Sequence, residues 1–371
     1  MKKIIEPVSH LWRRANAFLK HHERRATTLA FVAGFVVDAL TLRRVDLWLE
    51  NVAFLTYLTN SGLGIVLYHA YEGGKLQGRR GSRHIRWIPI AIQFSFGALL
   101  SGFFVFYSRS ASLVRSWPFL LLLLVVIVGN ERLRGWHARL PFQVSVFFLI
   151  VFSYAIFLVP VVLRTMGAHT FLLSGFLGIL ITWLLMRGLK RLAALRHRES
   201  VRRVVRSVAL IATSFTLLYF FNIIPPIPLS LQDIGVYHSI SRLPSGDYRV
   251  TYESVRWYEL TKRFTPVFHR EKGEPVQVLS AVFAPTRLTL PILHRWAYYD
   301  ETKNEWISST SVRFTIVGAR NGGYRGYSTK TSVPSGKWRV DVLTERGQLI
   351  GRITFRVVEG AREEPLKEGV R

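Results

Sequence analysis

The 371-residue chain contains no cysteine. Disulfides, thiolate nucleophiles, zinc–thiolate sites and iron–sulfur clusters are therefore excluded. Acidic residues are scarce: 23 Asp and Glu stand against 50 Lys and Arg, a formal net charge of +27. The eleven histidines are scattered, with no HxxxH or HExxH spacing, and no G-x-S-x-G elbow, P-loop or dinucleotide fingerprint occurs. These absences leave no expected catalytic residue, no metal set and no cofactor. The first 25 residues are polar and basic, so no cleavable signal is expected and the first apolar run should remain as an anchor.

What the chain has in quantity is apolar residues, 49% of the total, clustered in its first 224 positions. Seven apolar segments fall near 26–42, 47–70, 87–107, 112–129, 141–163, 169–186 and 207–224. Most reach the roughly 20 residues needed to cross about 30 Å of hydrocarbon as a helix. The fourth is shortened by Arg115 and Pro118, and the first is short and carries Asp38. Residues 4–20 place Val8, Leu11, Trp12 and Ala15 at helical spacing among cations, the pattern of a basic amphipathic helix lying on an anionic leaflet.

A strong basic excess usually points to nucleic acid. Here the cations lie between the apolar segments, so the expected partner is a bilayer with anionic headgroups and no nucleic acid is expected. The segment 187–206, with eight cations, is long enough for a surface helix against those headgroups. The cations alternate in density from one connection to the next, and the positive-inside rule then places the N-terminus in the cytoplasm. With seven crossings, the C-terminal region lies outside it.

The run ends at Asn222, Ile223, Ile224, Pro225 and Pro226, where proline stops the last helix. Beyond it the apolar period changes from helical to alternating. Strands are expected at 276–285, 292–300, 305–318, 324–332, 336–343 and 348–358. Trp338, Val340 and Val342 alternate with Arg339 and Asp341, and after the TERG turn Ile353, Phe355 and Val357 alternate with Arg352, Thr354 and Arg356. One face is buried and the other wet. The fold class expected is an α-helical transmembrane bundle of about seven helices followed by a small all-β, immunoglobulin-like sandwich with a Trp-rich core. The boundaries expected are a basic cytoplasmic segment at 1–25, the bundle at 26–224, a linker with an ancillary β segment at 225–275, the sandwich at 276–358 and a polar tail at 359–371.

HRW at 294–296, NGGYRGYSTK at 321–330, GKWRVDV at 336–342 and GRITFRV at 351–357 resemble a family of uncharacterised bacterial proteins. In that family the C-terminal β domain has no known function and follows a multi-span membrane region. The resemblance covers about Val276 to Val358, implies a bacterial inner-membrane protein, and carries over no catalytic residue.

Two groups of residues are candidates for function. Asp38 is the one carboxylate well inside an apolar segment, where an ionisable group is functional by default unless paired or wetted. The second segment offers Tyr57 and Asn60 at similar depth for a proton or ion relay; interhelical hydrogen bonding is the alternative. In the β region, Tyr324, Arg325, Tyr327 and Lys330 interleave aromatics with cations, which suits an envelope glycan or an anionic headgroup. An ordinary hairpin with packed tyrosines gives the same pattern. His294 shares a strand face with Trp296 and Tyr298 and is either a surface ligand contact or a satisfied core histidine. The function expected is therefore a non-enzymatic inner-membrane protein presenting an extracytoplasmic β-sandwich to an envelope component or a protein partner. The alternative is a transporter or enzyme acting on a lipid-linked substrate through Asp38 and its neighbours.

Overall fold

The computed structural model describes residues 48–75, 88–110, 113–132, 139–192, 194–226, 228–253, 267–285, 288–317, 322–360 and 365–371. Six helices come first: α1 Trp48–Glu72, α2 Ile88–Ser110, α3 Leu113–Arg132, α4 Leu140–Leu163, α5 Ala168–Leu192 and α6 Ala194–Phe220. Among the described residues there are six helices, matching six of the seven expected segments; the apolar segment 26–42 and the amphipathic segment 4–20 lie outside the described residues. Among the described residues, four spans are long and apolar enough to cross a membrane: α2, α4, α5 and Ser200–Phe220 of α6. The core of α3 is shorter, an apolar stretch of Arg115–Gly129, as Arg115 and Pro118 foretell. The helices therefore make this a multi-pass membrane protein.

The most apolar helix, α4, is the axis of the bundle. Phe147, Phe148, Ile150, Phe152 and Phe157 are buried on it, whereas Leu172, Phe176, Ile179 and Trp183 of α5 are exposed where lipid would lie. Without a hydrophobic drive between helices in lipid, contact depends on close packing and a few hydrogen bonds. Gly64 of α1 illustrates the packing: a Cβ there would meet Ile92 of α2 at 2.7 Å. Three of these bonds join α4 to a neighbour: Tyr154 to Asn51 (3.0 Å), His69 to Gln143 (2.9 Å) and Ser174 to the Ala155 carbonyl (3.0 Å).

The expected surface helix over 187–206 does not form as a separate element. Residues up to Leu192 continue α5 and those from Ala194 begin α6. Arg, Lys, Leu and Ala are good helix formers, so the helices run on past their lipid-facing portions. At its other end α6 closes in a Schellman motif: Ile223 N–H donates to the Leu218 carbonyl (2.8 Å) and Asn222 N–H to that of Tyr219 (3.0 Å). Asn222 takes the left-handed conformation this requires (φ 57°), and Pro225 and Pro226 follow.

Eleven strands follow: β1 Ser230–Tyr237, β2 Ser239–Arg242, β3 Tyr248–Tyr252, β4 Val267–Arg270, β5 Val276–Phe283, β6 Thr289–Asp300, β7 Glu305–Val317, β8 Tyr324–Lys330, β9 Gly336–Thr344, β10 Leu349–Glu359 and β11 Lys367–Val370. A five-stranded sheet, β4-β10-β9-β6-β7, faces a three-stranded one, β1-β5-β8; all pairs are antiparallel except β4 with β10. Val276 and Val278 from one sheet pack on Trp296, Trp338, Val340, Ile353 and Phe355 from the other. The Trp-rich core expected from alternation is this layer. Residues 225–275, expected as a linker with an ancillary β segment, supply β1 and β4 to the two main sheets. The expected polar tail contributes β11, which joins β3 and β2 in a third sheet. That sheet packs on the outer face of β1 and β5 through Tyr248, Val250, Tyr237 and Leu279.

Candidate functional site

Along β8 the side chains alternate, and the alternation divides the four residues expected to form one binding surface. Tyr324 packs into the core beside Leu290 and Phe314, and Lys330 points inward over Trp338 (5.8 Å), donating to Thr310 Oγ1 (2.7 Å). Arg325 and Tyr327 face outward instead. Arg325 Nη1 donates to Asp247 Oδ1 (3.1 Å), and Tyr327, 41% exposed, meets Tyr248 edge-on at 5.8 Å. Only Arg325 and Tyr327 are thus brought together on an open surface.

Arg325 stands on one wall of a cleft of about 390 Å³ lined also by Asp233, Asp247, Leu279, Ala281, Gly322, Val370 and Arg371. Its floor is the outer face of β1, β5 and β8; its other wall comes from β11 and the turn before β3. Burial raises the Tyr237 hydroxyl pKa beside it and the Asp233 carboxylate raises it further, while a hydrogen bond from Arg371 acts the other way. The Arg371 guanidinium also lies over the Tyr252 ring (5.9 Å). Asp233, Asp247 and Arg371 escaped the sequence reading because β1–β5 and β3–β11 pairing brings them together from 138 positions of chain. The one local signal was Pro-Ser-Gly at 244–246, the turn that positions Asp247.

His294 is not on a surface. It is fully buried between the sheets, with Nε2 to Ser280 Oγ (2.7 Å) and Nδ1 to Ser328 Oγ (2.9 Å); Trp296 Nε1 also donates to Ser328 Oγ (3.0 Å). Burial pushes its pKa down to about 3. A neutral ring so enclosed bridges the two sheets and meets no solvent.

A second polar cluster, unseen in the sequence, joins β1, β3 and β4. His238 Nδ1 bonds Glu274 (2.8 Å) and its Nε2 bonds Glu253 (3.2 Å), while Glu253 also accepts from His269 Nδ1 (2.8 Å) and from the His269 backbone N–H (2.6 Å). Burial alone would raise the Glu253 pKa, but these hydrogen bonds outweigh it and the pKa is lowered. No group of three or more metal-ligating side chains with suitable geometry occurs among the described residues.

In the bundle, Asn60 donates to Ser95 Oγ (2.7 Å) and Tyr57 meets Phe94 edge-on (5.9 Å), so both contribute to α1–α2 packing. Asp38 lies outside the described residues.

The class of molecule is thus a helical membrane region followed by a C-terminal β domain. Residues 290–357, spanning β6 to β10, match the family described as "Protein of unknown function (DUF2914)". No curated protein matches the chain. Among solved structures, the chain is similar to an immunoglobulin-like protein from Pseudomonas aeruginosa at 13% identity, over 35% of this chain and 92% of that one, with a TM-score of 0.19. It is also similar to a Pseudomonas fluorescens alkylpurine DNA glycosylase, AlkC, bound to DNA containing an abasic site analog, at 11% identity over 85% and 99% of the two chains, TM-score 0.22. At these scores neither likeness carries an argument.

Proposed function

We propose that this is a multi-pass protein of the bacterial inner membrane that presents an immunoglobulin-like β-sandwich on the extracytoplasmic side, where it binds an envelope component or a partner protein. The observation that carries the orientation is the distribution of cations between the two ends of the bundle. One end adjoins the β domain: α2 touches β1, Met166 between α4 and α5 packs against Leu229 and its neighbours, and α6 leads into β1. The helix ends and connections on that side carry Arg109, Arg115 and Arg164, and Arg43 and Arg44 precede α1 in the sequence. At the opposite end Lys75 Nζ donates to the Arg191 carbonyl, joining the ends of α1 and α5. The helix ends and connections there carry five cations in 72–87, three in 130–140 and eight in 187–206. Cytoplasmic loops concentrate Lys and Arg. The cation-rich end therefore belongs in the cytoplasm, against anionic headgroups, and the β domain outside.

A reporter active only outside the cytoplasm, fused after Arg371, is expected to be active, and the same reporter inserted between α5 and α6 is expected to be silent. The reverse pair of results overturns the orientation.

A further inference from the structure

Resting on that reading, we propose that the cleft beneath the third sheet is a binding site for a small zwitterionic ligand with a free ammonium and a free carboxylate, of the kind a short peptide presents. The cleft has the volume of small-molecule sites, which run from about 300 to 1,000 Å³. Its lining combines three apolar side chains, Leu279, Ala281 and Val370, with four charged ones. The charged side chains are two carboxylates and two guanidiniums, so the side chains lining the cleft carry no net formal charge.

The way those charges are already engaged selects the ligand. Arg325 and Asp247 form an ion pair at 3.1 Å in which the side chains keep 21% and 35% of their exposure. Arg371 interacts with Asp233 and with the Tyr237 hydroxyl. An anionic ligand taking one guanidinium would leave that arginine's carboxylate facing it, and a cationic ligand would leave an arginine stranded. Removing one partner of a half-buried pair is the unfavourable outcome. A ligand carrying both charges exchanges the internal Arg325–Asp247 pair for two intermolecular ones and leaves neither partner unmatched. Leu279, Ala281 and Val370 in the lining offer apolar surface to the ligand's apolar part.

The test is calorimetric titration of the full chain in lipid nanodiscs with trialanine, N-acetyl-trialanine and trialanine amide. Saturable one-to-one binding of trialanine is expected, at least tenfold weaker for either blocked peptide. Arg325→Ala and Asp247→Asn should each weaken it at least tenfold, and Arg325→Lys less, with thermal unfolding checked for each variant. Absence of saturable binding, equal affinity for the blocked peptides, or unchanged affinity in folded Arg325→Ala and Asp247→Asn overturns the proposal. The outcome separates from that of the orientation: an active reporter after Arg371 with no trialanine binding removes the cleft alone, whereas binding with a silent reporter removes the orientation alone.

Discussion

His294 carries a pH dependence. Its pKa in the folded chain, about 3, lies below the ordinary value of 6.5, so between those limits the unfolded chain binds a proton that the native chain refuses. The stabilisation is complete above about pH 6.5 and is lost as pH falls. At pH 4.5 the loss from this residue amounts to about 2–3 kcal/mol. Denaturant unfolding followed by tryptophan emission at pH 7 and pH 4.5 is expected to show an acid loss smaller by about that amount in His294→Gln than in the natural chain. An identical loss in both contradicts the assignment. Gly326 gives a steric counterpart: a Cβ there would lie 2.2 Å from Phe314, so Gly326→Ala is expected to lower stability by about 1–3 kcal/mol in the same measurement. Strand alternation placed His294 on one face with Trp296 and Tyr298. It could not supply Ser280 and Ser328, which come from the opposite sheet.

At the scale of elements, the junction between bundle and β domain depends on the β9–β10 turn. Arg346 lies over the rings of Tyr219 (4.4 Å) and Phe220 (5.4 Å) and donates to the Tyr219 hydroxyl, and its carbonyl accepts from Asn222 Nδ2 (3.3 Å). Tyr219 in turn stacks on Phe171 of α5 at 3.9 Å. A cation held over two rings and hydrogen-bonded contributes about 1–3 kcal/mol to docking. Because the chain lacks cysteine, spin labels at Ser309→Cys on β7 and Lys190→Cys on α5 report the distance between the two parts without background. Arg346→Ala should broaden that distance distribution, and Tyr219→Phe, which keeps the ring, should broaden it less. An unchanged distribution in Arg346→Ala would mean the turn does not hold the parts together. The TERG turn and the two prolines were legible as punctuation. The meeting of that turn with the end of α6 was not, because the contact spans 127 positions. The helix ends near 190 were misplaced because hydropathy marks where lipid lies, not where hydrogen bonding stops.

For the molecule as a whole, the change of period at Pro225 separated helices from strands, and the alternation beyond it located β5 to β10 to within a few residues. The cleft was not legible: strand patterns tell which face of β8 holds Arg325 but not that β3 and β11 fold over that face. The central claim is the orientation, since the β domain meets envelope ligands only from outside. It is tested most directly with the full chain in intact cells, again using the absence of native cysteine. Ser309→Cys and Lys190→Cys, each exposed and at opposite ends of the molecule, are treated separately with a membrane-impermeant maleimide. Labelling of Ser309→Cys in intact cells, with Lys190→Cys labelled only after the membrane is opened, is the predicted result. Labelling of Lys190→Cys in intact cells with Ser309→Cys protected would contradict the account.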